Sequence, residues 1–371
     1  MPLKIISTLL PFIFLIFLAC NTDLEQGSEY IDLSELPVER PAQIMQTDHV
    51  GDFYFDHLNY ATVALQNGNI LINDREQAFI LEISPDGKLV RQVTRQGRGP
   101  GEILDASRLH SDHNGNLVLF DQMNQKAVRY INNESPEEFM PHFSEGYRVR
   151  TVYPLKEENQ FLVFQWMPSA LMDDSNEFIN RILVYDLDSE NYIKDHTYPG
   201  QTFAQLIVDE QVRGGSPVPY TPEFLYSFSP ERDRIYVSWT EENEIAVLST
   251  NLDTLNTIRI PLTKDRLTQT DIDSLENWSN NNLHRNQWRT IEEKLPDYKV
   301  SYDEMIVDHH NRIWLKLTRQ SADQEWLVIS ENGDPFKIVN LPKEGILTHI
   351  SEHHLGFREN DYTFSLYEAV D

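Results

Sequence analysis

Cysteine is almost absent: Cys20 is the only one among 371 residues. No intramolecular disulfide can form, so stability must come from packing and from the way the chain closes on itself. Basic residues are also scarce, with 31 Lys and Arg against 59 Asp and Glu and a formal charge of −28. A surface of that sign repels phosphate backbones and anionic headgroups, which excludes nucleic acid as a partner. No apolar run reaches the roughly 20 residues that a membrane-spanning helix needs. The longest, 5–19, is interrupted by Ser7, Thr8 and Pro11. Signatures of catalysis are missing as well: there is no H-E-x-x-H, C-x-x-C, EF-hand loop, G-x-S-x-G or S-x-x-K. The one glycine-rich stretch lacks the Lys-Ser/Thr pair of a phosphate cradle and lies between strands, not at a helix N-terminus.

Lys4 precedes the apolar run, and polar chain follows it at once. That order is the pattern of an export signal. The sole cysteine stands at the junction. Phe17-Leu18-Ala19-Cys20 resembles a bacterial lipobox, in which a small residue precedes a cysteine that becomes diacylated, although Phe17 and Leu18 depart from its commonest residues. The expected organisation is a signal peptide over 1–20 with lipidation at Cys20, a polar tether over 21–40, and a single domain over 41–371. Asp23 and Glu25 resemble the acidic stretch that follows the lipidated cysteine of surface-exported lipoproteins in the Bacteroidetes lineage. The likeness implies an exported protein, lipid-anchored in the bacterial outer membrane and facing the periplasm or the surface.

A repeat runs through the rest of the chain. Each copy is a turn residue followed by alternating apolar positions: Asn69 to Asp74, Asn116 to Asp121, Gln160 to Trp166, Arg234 to Trp239, Arg312 to Leu317 and, more weakly, His354 to Arg358. Their first residues are 47, 44, 74, 78 and 42 apart. Three spacings suit one repeat unit; the other two carry insertions. A short strand precedes each copy, across a turn such as Asp112-His113-Asn114-Gly115 or Asp308-His309-His310-Asn311. A third strand follows, and after turns such as Pro85-Asp86-Gly87 a fourth. Four antiparallel strands per unit, radially repeated, describe an all-β, six-bladed β-propeller. The sixth unit runs out of chain after its third strand, and an unassigned strand lies near 42–48. The N-terminal segment is therefore expected to complete the last blade and close the ring, which removes an exposed edge.

Gly97-Arg98-Gly99-Pro100-Gly101-Glu102 lies between the first two units, and a D-x-x-G-N-L stretch follows at 112–117. Together they resemble the six-bladed β-propeller lipoproteins of Bacteroidetes-type bacteria, distant relatives of NHL-repeat proteins. The likeness covers roughly 29–371 and is strongest over 68–132. It implies the fold and the address, since most members of that family have no established activity.

Loops that lead from an outer strand to the next inner strand open on one face of a propeller. The 97–102 loop belongs to this class, and so do the insertions at 199–221 and 263–299, which marks that face as the working one. The second insertion should be helical: Thr268 to Asp271 can cap a helix. Leu267, Ile272, Leu275 and Trp278 follow at helical spacing, with Trp288, Ile291 and Leu295 on a second helix. It forms either a lid or a rim-packed pair.

Arg98 and Glu102 lead the candidate ligand contacts, with Gly99 and Gly101 allowing close approach of backbone. Alternatively they pair with neighbouring blades and pin the loop. Arg148, Arg150, Arg213, Tyr220, Glu223, Tyr302 and His57 fall on or near the same face by register. Asp105, Glu223, Asp303 and Glu304 are the acidic residues the inner strands offer. His110, His113, His309, His310, His353 and His354 mostly fall at turns of the opposite face, in different blades, and are not expected to share a metal. Asp186-x-Asp188-x-Glu190 could clip calcium but reads first as a solvated turn. No cofactor is expected otherwise.

Two functions remain. One is a monomeric binding module of the cell envelope that recognises a protein, peptide or glycan partner. The other is a propeller enzyme, a lyase or lactonase-type hydrolase with a divalent cation in the channel.

Overall fold

The computed structural model describes residues 30–59, 63–65, 67–112, 114–130, 136–140, 146–157, 159–167, 179–208, 211–283 and 287–370. For residues 63, 107, 207, 208 and 211–213 only the backbone is described. Cys20 and His113 lie outside these ranges.

Six four-stranded antiparallel sheets follow one another along the chain. Their innermost strands are Val63–Ala64, Ala106–Ser111, Arg148–Pro154, Phe224–Ser229, Tyr302–Val307 and Ile346–Ile350. Each is followed by the strand that carries the repeat read from sequence. The apolar alternation has a different meaning from a half-buried strand. In blade two, Leu117 and Leu119 face blade one, while Val118 and Phe120 face blade three. In blade one, Ile70 and Ile72 pack toward blade six and Leu71 toward blade two. Both faces of a blade are therefore buried, because each sheet is sandwiched between its neighbours. The product is one apolar core at each blade junction, six in all, running round the ring.

The ring closes as the repeat count requires. Gln43–Thr47 pairs antiparallel with Thr363–Glu368, from Gln43 opposite Tyr367 to Thr47 opposite Phe364, and becomes the outer strand of blade six. A second N-terminal strand was not legible: Val38–Glu39 adds in parallel to Pro335–Leu341, as a fifth strand on blade five. Glu39 binds the Lys337 ammonium there at 3.1 Å.

The strand-ending aspartates of the repeat are buried staples. Asp74 accepts the backbone N–H groups of Asp56, His57 and Gln77. Asp121 accepts those of Leu104, Asp105, Met123 and Asn124, and the Asn124 side-chain amide. Each carboxylate thus ties the entry to the inner strand to the turn beyond the second strand. In blade four Thr240 takes the same place, accepting from Glu223 N–H at 3.0 Å.

The two insertions form one accessory unit. In the first insertion Phe203–Val208 pairs antiparallel with Gln211–Pro217. The segment 263–299 supplies α1 (Gln269–Asn282) and α2 (Gln287–Glu292). Ile291 of α2 packs on Ala204 and Val218, with Trp288 and Leu295 alongside. Thr268 and Asp271 make a capping box at the start of α1. The apolar face expected on α1 is only half right, because Trp278 is 46% exposed. What α1 buries is Asp271, which meets Lys299 at 3.4 Å and Gln320 at 2.9 Å. A polar anchor therefore fixes this helix where the spacing suggested an apolar seam.

Candidate site in the central channel

The inner strands of all six blades surround a cavity of about 1060 Å³. Its wall runs from the starts of these strands, where the two insertions enter and Gln201, Phe203 and Pro217 contribute, to their far ends at Glu231, His309 and His353.

One backbone device recurs in that wall. In four of the six blades the inner strand carries one residue more than the strand beside it. The extra residue falls at 107–108 in blade two, Arg150 in blade three, Asp303 in blade five and Thr348 in blade six. A β-bulge of this kind bends its strand and turns a side chain that regular pleating would aim elsewhere. Arg108, Arg150, Asp303 and Thr348 all line the cavity. Blade four reaches the same wall through Glu223, one residue before its inner strand starts.

The wall has two chemical sides. Arg108 and Arg150 both stand over the ring of Tyr226, at 5.6 and 5.8 Å. That ring stacks in turn on Phe164 at 3.8 Å. Opposite in charge are Glu223, Asp303 and Glu304, with Lys316 among them. Lys316 binds Glu304 at 2.5 Å and stands 3.9 Å from Asp303. Burial pushes the Glu223 carboxyl up to about 8, with Asp303 and Glu304 adding to the effect and Arg150 and Lys316 opposing it. Burial likewise raises Asp303 to about 6, opposed by Lys316 and assisted by Glu304. Asp303 still keeps 37% of its side-chain exposure, because it borders the open cavity. Deeper in, the His110 ring lies 3.7 Å from that of Tyr153 and meets the Thr151 hydroxyl at 2.9 Å. Burial holds His110 well below the usual imidazole range.

The raised Glu223 has a consequence for stability. Between its ordinary value of 4.5 and about 8, the native state keeps a proton that the unfolded chain releases. Stability therefore falls as pH rises through that window. Glu223→Gln is expected to remove this loss, so its melting midpoint should decline less than the wild type's between pH 5 and 8.5. Parallel profiles for the two proteins would contradict the assignment.

The other sequence candidates are placed as follows. The 97–102 loop lies at the outer junction of blades one and two, not in the channel. Glu102 accepts Gly99 N–H at 2.8 Å. Gly101 N–H donates to Glu138 and its carbonyl accepts from Tyr130, both on blade two. Lys126 binds the same Glu138 at 2.6 Å. Glu102 thus closes the loop on itself, and Arg98 is exposed beside it. Gly101 needs its φ of +72°, and a Cβ there would come within 2.4 Å of Pro136. Gly101→Ala is accordingly expected to cost about 2 kcal/mol by urea unfolding. The channel residues should be untouched by it.

Tyr302 is fully buried in the core between blades four and five, and its hydroxyl meets Ser238 at 2.7 Å. It precedes the bulge, so its side chain points away from the channel that Asp303 faces. Tyr220, at a left-handed φ of +62°, lies beneath the Lys299 ammonium. Arg148 is exposed, opposite Trp166 in its blade. Arg213 is described only as backbone. His57 lies 3.7 Å from Asp361 at the junction of blades six and one. Asp105 pairs with Arg75 at 3.0 Å. Asp186 and Asp188 accept hydrogen bonds from Ser189 and Asn159. Of the nominated ligand contacts, Glu223 alone lines the cavity. It meets there Arg150, Asp303 and Glu304, and the same cavity is also lined by His110, His309 and His353, which the sequence reading set on the opposite face. Among the described residues, no group of three His, Cys, Asp or Glu is arranged to hold a metal ion.

Comparison with known proteins agrees with this geometry at the level of fold. Residues 52–139 match the family model DUF5128, described as a 6-bladed beta-propeller. No curated protein matches the chain. A member of the DUF4221 family from Bacteroides vulgatus superposes with a TM-score of 0.54 at 8% identity, over 88% of this chain and 97% of that one. A gluconolactonase from Xanthomonas campestris gives 0.46 at 12% identity, over 88% and 95%. Likeness at such identities is likeness of fold alone. The chain is a six-bladed β-propeller, and its first two blades carry the sequence pattern of the 6-bladed beta-propeller family DUF5128.

Proposed function

We propose that the chain is an exported, monomeric binding protein of the bacterial envelope, anchored through Cys20, that holds a small polar ligand in the mouth of its channel. The observation that carries this reading is the repeated bulge. Four blades share a departure from regular pairing, and in each the bulge accompanies a polar residue of the cavity wall. Register shifts also occur between outer strands of the blades, but each of these four lies beside the channel, and bulges next to binding sites serve to re-aim side chains. The half-buried Glu223 and Asp303 add perturbed carboxyls, which cluster at functional sites.

Thermal unfolding of the chain from residue 21 tests it, run against sugars, peptides, small carboxylic acids and divalent ions. A ligand at 100 times its Kd stabilises the native state by about 2.7 kcal/mol. That gain should vanish in Arg150→Ala and persist in Arg98→Ala. The reverse result would return the site to the 97–102 loop.

A second reading is favoured by one feature, a Glu223 that keeps its proton near neutral pH beside Asp303. Such a group can act as a general acid in a lyase or hydrolase. A ligand consumed by the wild type, but bound and left intact by Glu223→Gln, would establish it.

A further inference from the structure

Resting on that reading, we propose that the ligand is a zwitterion, a free amino acid or short unblocked peptide. Its ammonium group is received by Glu223 and Asp303, and its carboxylate by Arg150 over the Tyr226 ring.

The argument begins with charge. The whole chain carries −28, yet where the inner strands begin the cavity wall carries both signs, with Glu223, Asp303 and Glu304 near Arg108 and Arg150, and Lys316 paired to Glu304 beside them. A purely anionic ligand would meet three carboxyls, and a purely cationic one two guanidinium groups and an ammonium. A molecule bearing both signs satisfies each side at once.

Several of these charges are already engaged within the protein. Glu304 takes the Lys316 ammonium at 2.5 Å. Arg108 bonds to the Tyr153 hydroxyl. What is left for a ligand lies on three successive blades. Arg150 is exposed on the channel, supported from behind by an aromatic face. Asp303 borders the cavity with a side chain that keeps 37% of its exposure, its nearest cation 3.9 Å away. Glu223 borders the same cavity on the strand side between them. An ammonium group supplies several donors to two carboxyls at once. A guanidinium fork stacked on an aromatic ring is the matching receptor for a carboxylate. Tyr226, backed by the buried Phe164, and Phe224 at the cavity wall supply apolar surface for the rest of the ligand.

The groups facing Glu223 are Asp303 and Glu304 from blade five, Lys316 beside them, and Arg150 from blade three. An arriving ammonium adds a positive charge to this set and favours the ionised form of Glu223. Binding near pH 7 therefore expels the Glu223 proton to the buffer.

Calorimetry on the chain from residue 21 tests the proposal. The probes are a panel of unblocked dipeptides ending in phenylalanine, together with their N-acetyl and C-amide forms. Either block is expected to weaken binding at least about tenfold. In Glu223→Gln, and independently in Asp303→Asn, the acetyl group should cease to matter; in Arg150→Ala the amide should cease to matter. The heat measured at pH 7 should depend on the buffer's ionisation enthalpy in the wild type and not in Glu223→Gln. Melting without ligand confirms that each variant folds. Acetylated and free peptides binding alike would overturn the proposal. So would a panel that fails at about 10 mM while another class of ligand still shifts melting through Arg150, a result that leaves the channel reading intact. No binding by any class would overturn both.

Discussion

A chain that begins at Asp48 is expected to lose more than about 5 kcal/mol of stability or to aggregate. The deletion removes the outer strand of blade six, Gln43–Thr47, and leaves Thr363–Glu368 as an unpaired edge. It also removes Met45 from the core between blades six and one, and Ile31, Leu33 and Leu36 from the core between blades four and five. Gln43 and Gln46 no longer reach Glu359, nor Glu39 Lys337. With Cys20 the only cysteine, no covalent link compensates. Urea unfolding measures the loss, and a synthetic peptide spanning 36–48, supplied in trans, should restore part of it by refilling the edge. An unchanged unfolding midpoint would mean that the ring is held by its six inter-blade cores alone.

Asp121→Ala is expected to cost about 4 kcal/mol, a large value for one residue. The side chain is fully buried and accepts five hydrogen bonds. Four come from backbone N–H groups that bind the entry of blade two to its next turn. Truncation strands these donors where water cannot replace the acceptor. Asp121→Asn keeps one acceptor and should recover about half the loss. Because Leu104 and Asp105 lead directly into the bulged strand, the substitution is also expected to weaken ligand binding at the channel. Urea unfolding and calorimetry on the two variants check both effects. A loss below about 1 kcal/mol would show that the staple is dispensable.

The ring was legible in the sequence because its repeat is written in residue types that have one physical use. Asp-Gly and Asn-Gly turns and apolar second strands recur at blade spacing, and the missing last strand pointed to 42–48. The site was legible only in pieces. Glu223, Arg150, Asp303 and Glu304 could be named as residues near inner strands. Nothing showed that they converge, because convergence depends on one extra residue in each strand, and a bulge leaves no signature without its partner's register. The same ignorance of register placed Tyr302 at the channel when its side chain belongs to the core. For the 97–102 loop the sequence left two readings open. Its glycines, Arg98 and Glu102 are the residues that suit a ligand, but they equally suit a tight turn clamped to Glu138 and Pro136. The α1 face misled because Asp271, an apparent capping residue, is also the buried anchor of that helix.

The central claim is that the polar residues turned into the channel by the bulges form a binding site. It is tested most directly by measuring ligand-induced melting shifts of the wild type, Arg150→Ala, Glu223→Gln and Arg98→Ala against one ligand panel. The account predicts a shift in the wild type and in Arg98→Ala that is lost in Arg150→Ala and Glu223→Gln. A shift that survives both channel substitutions and disappears in Arg98→Ala would contradict it.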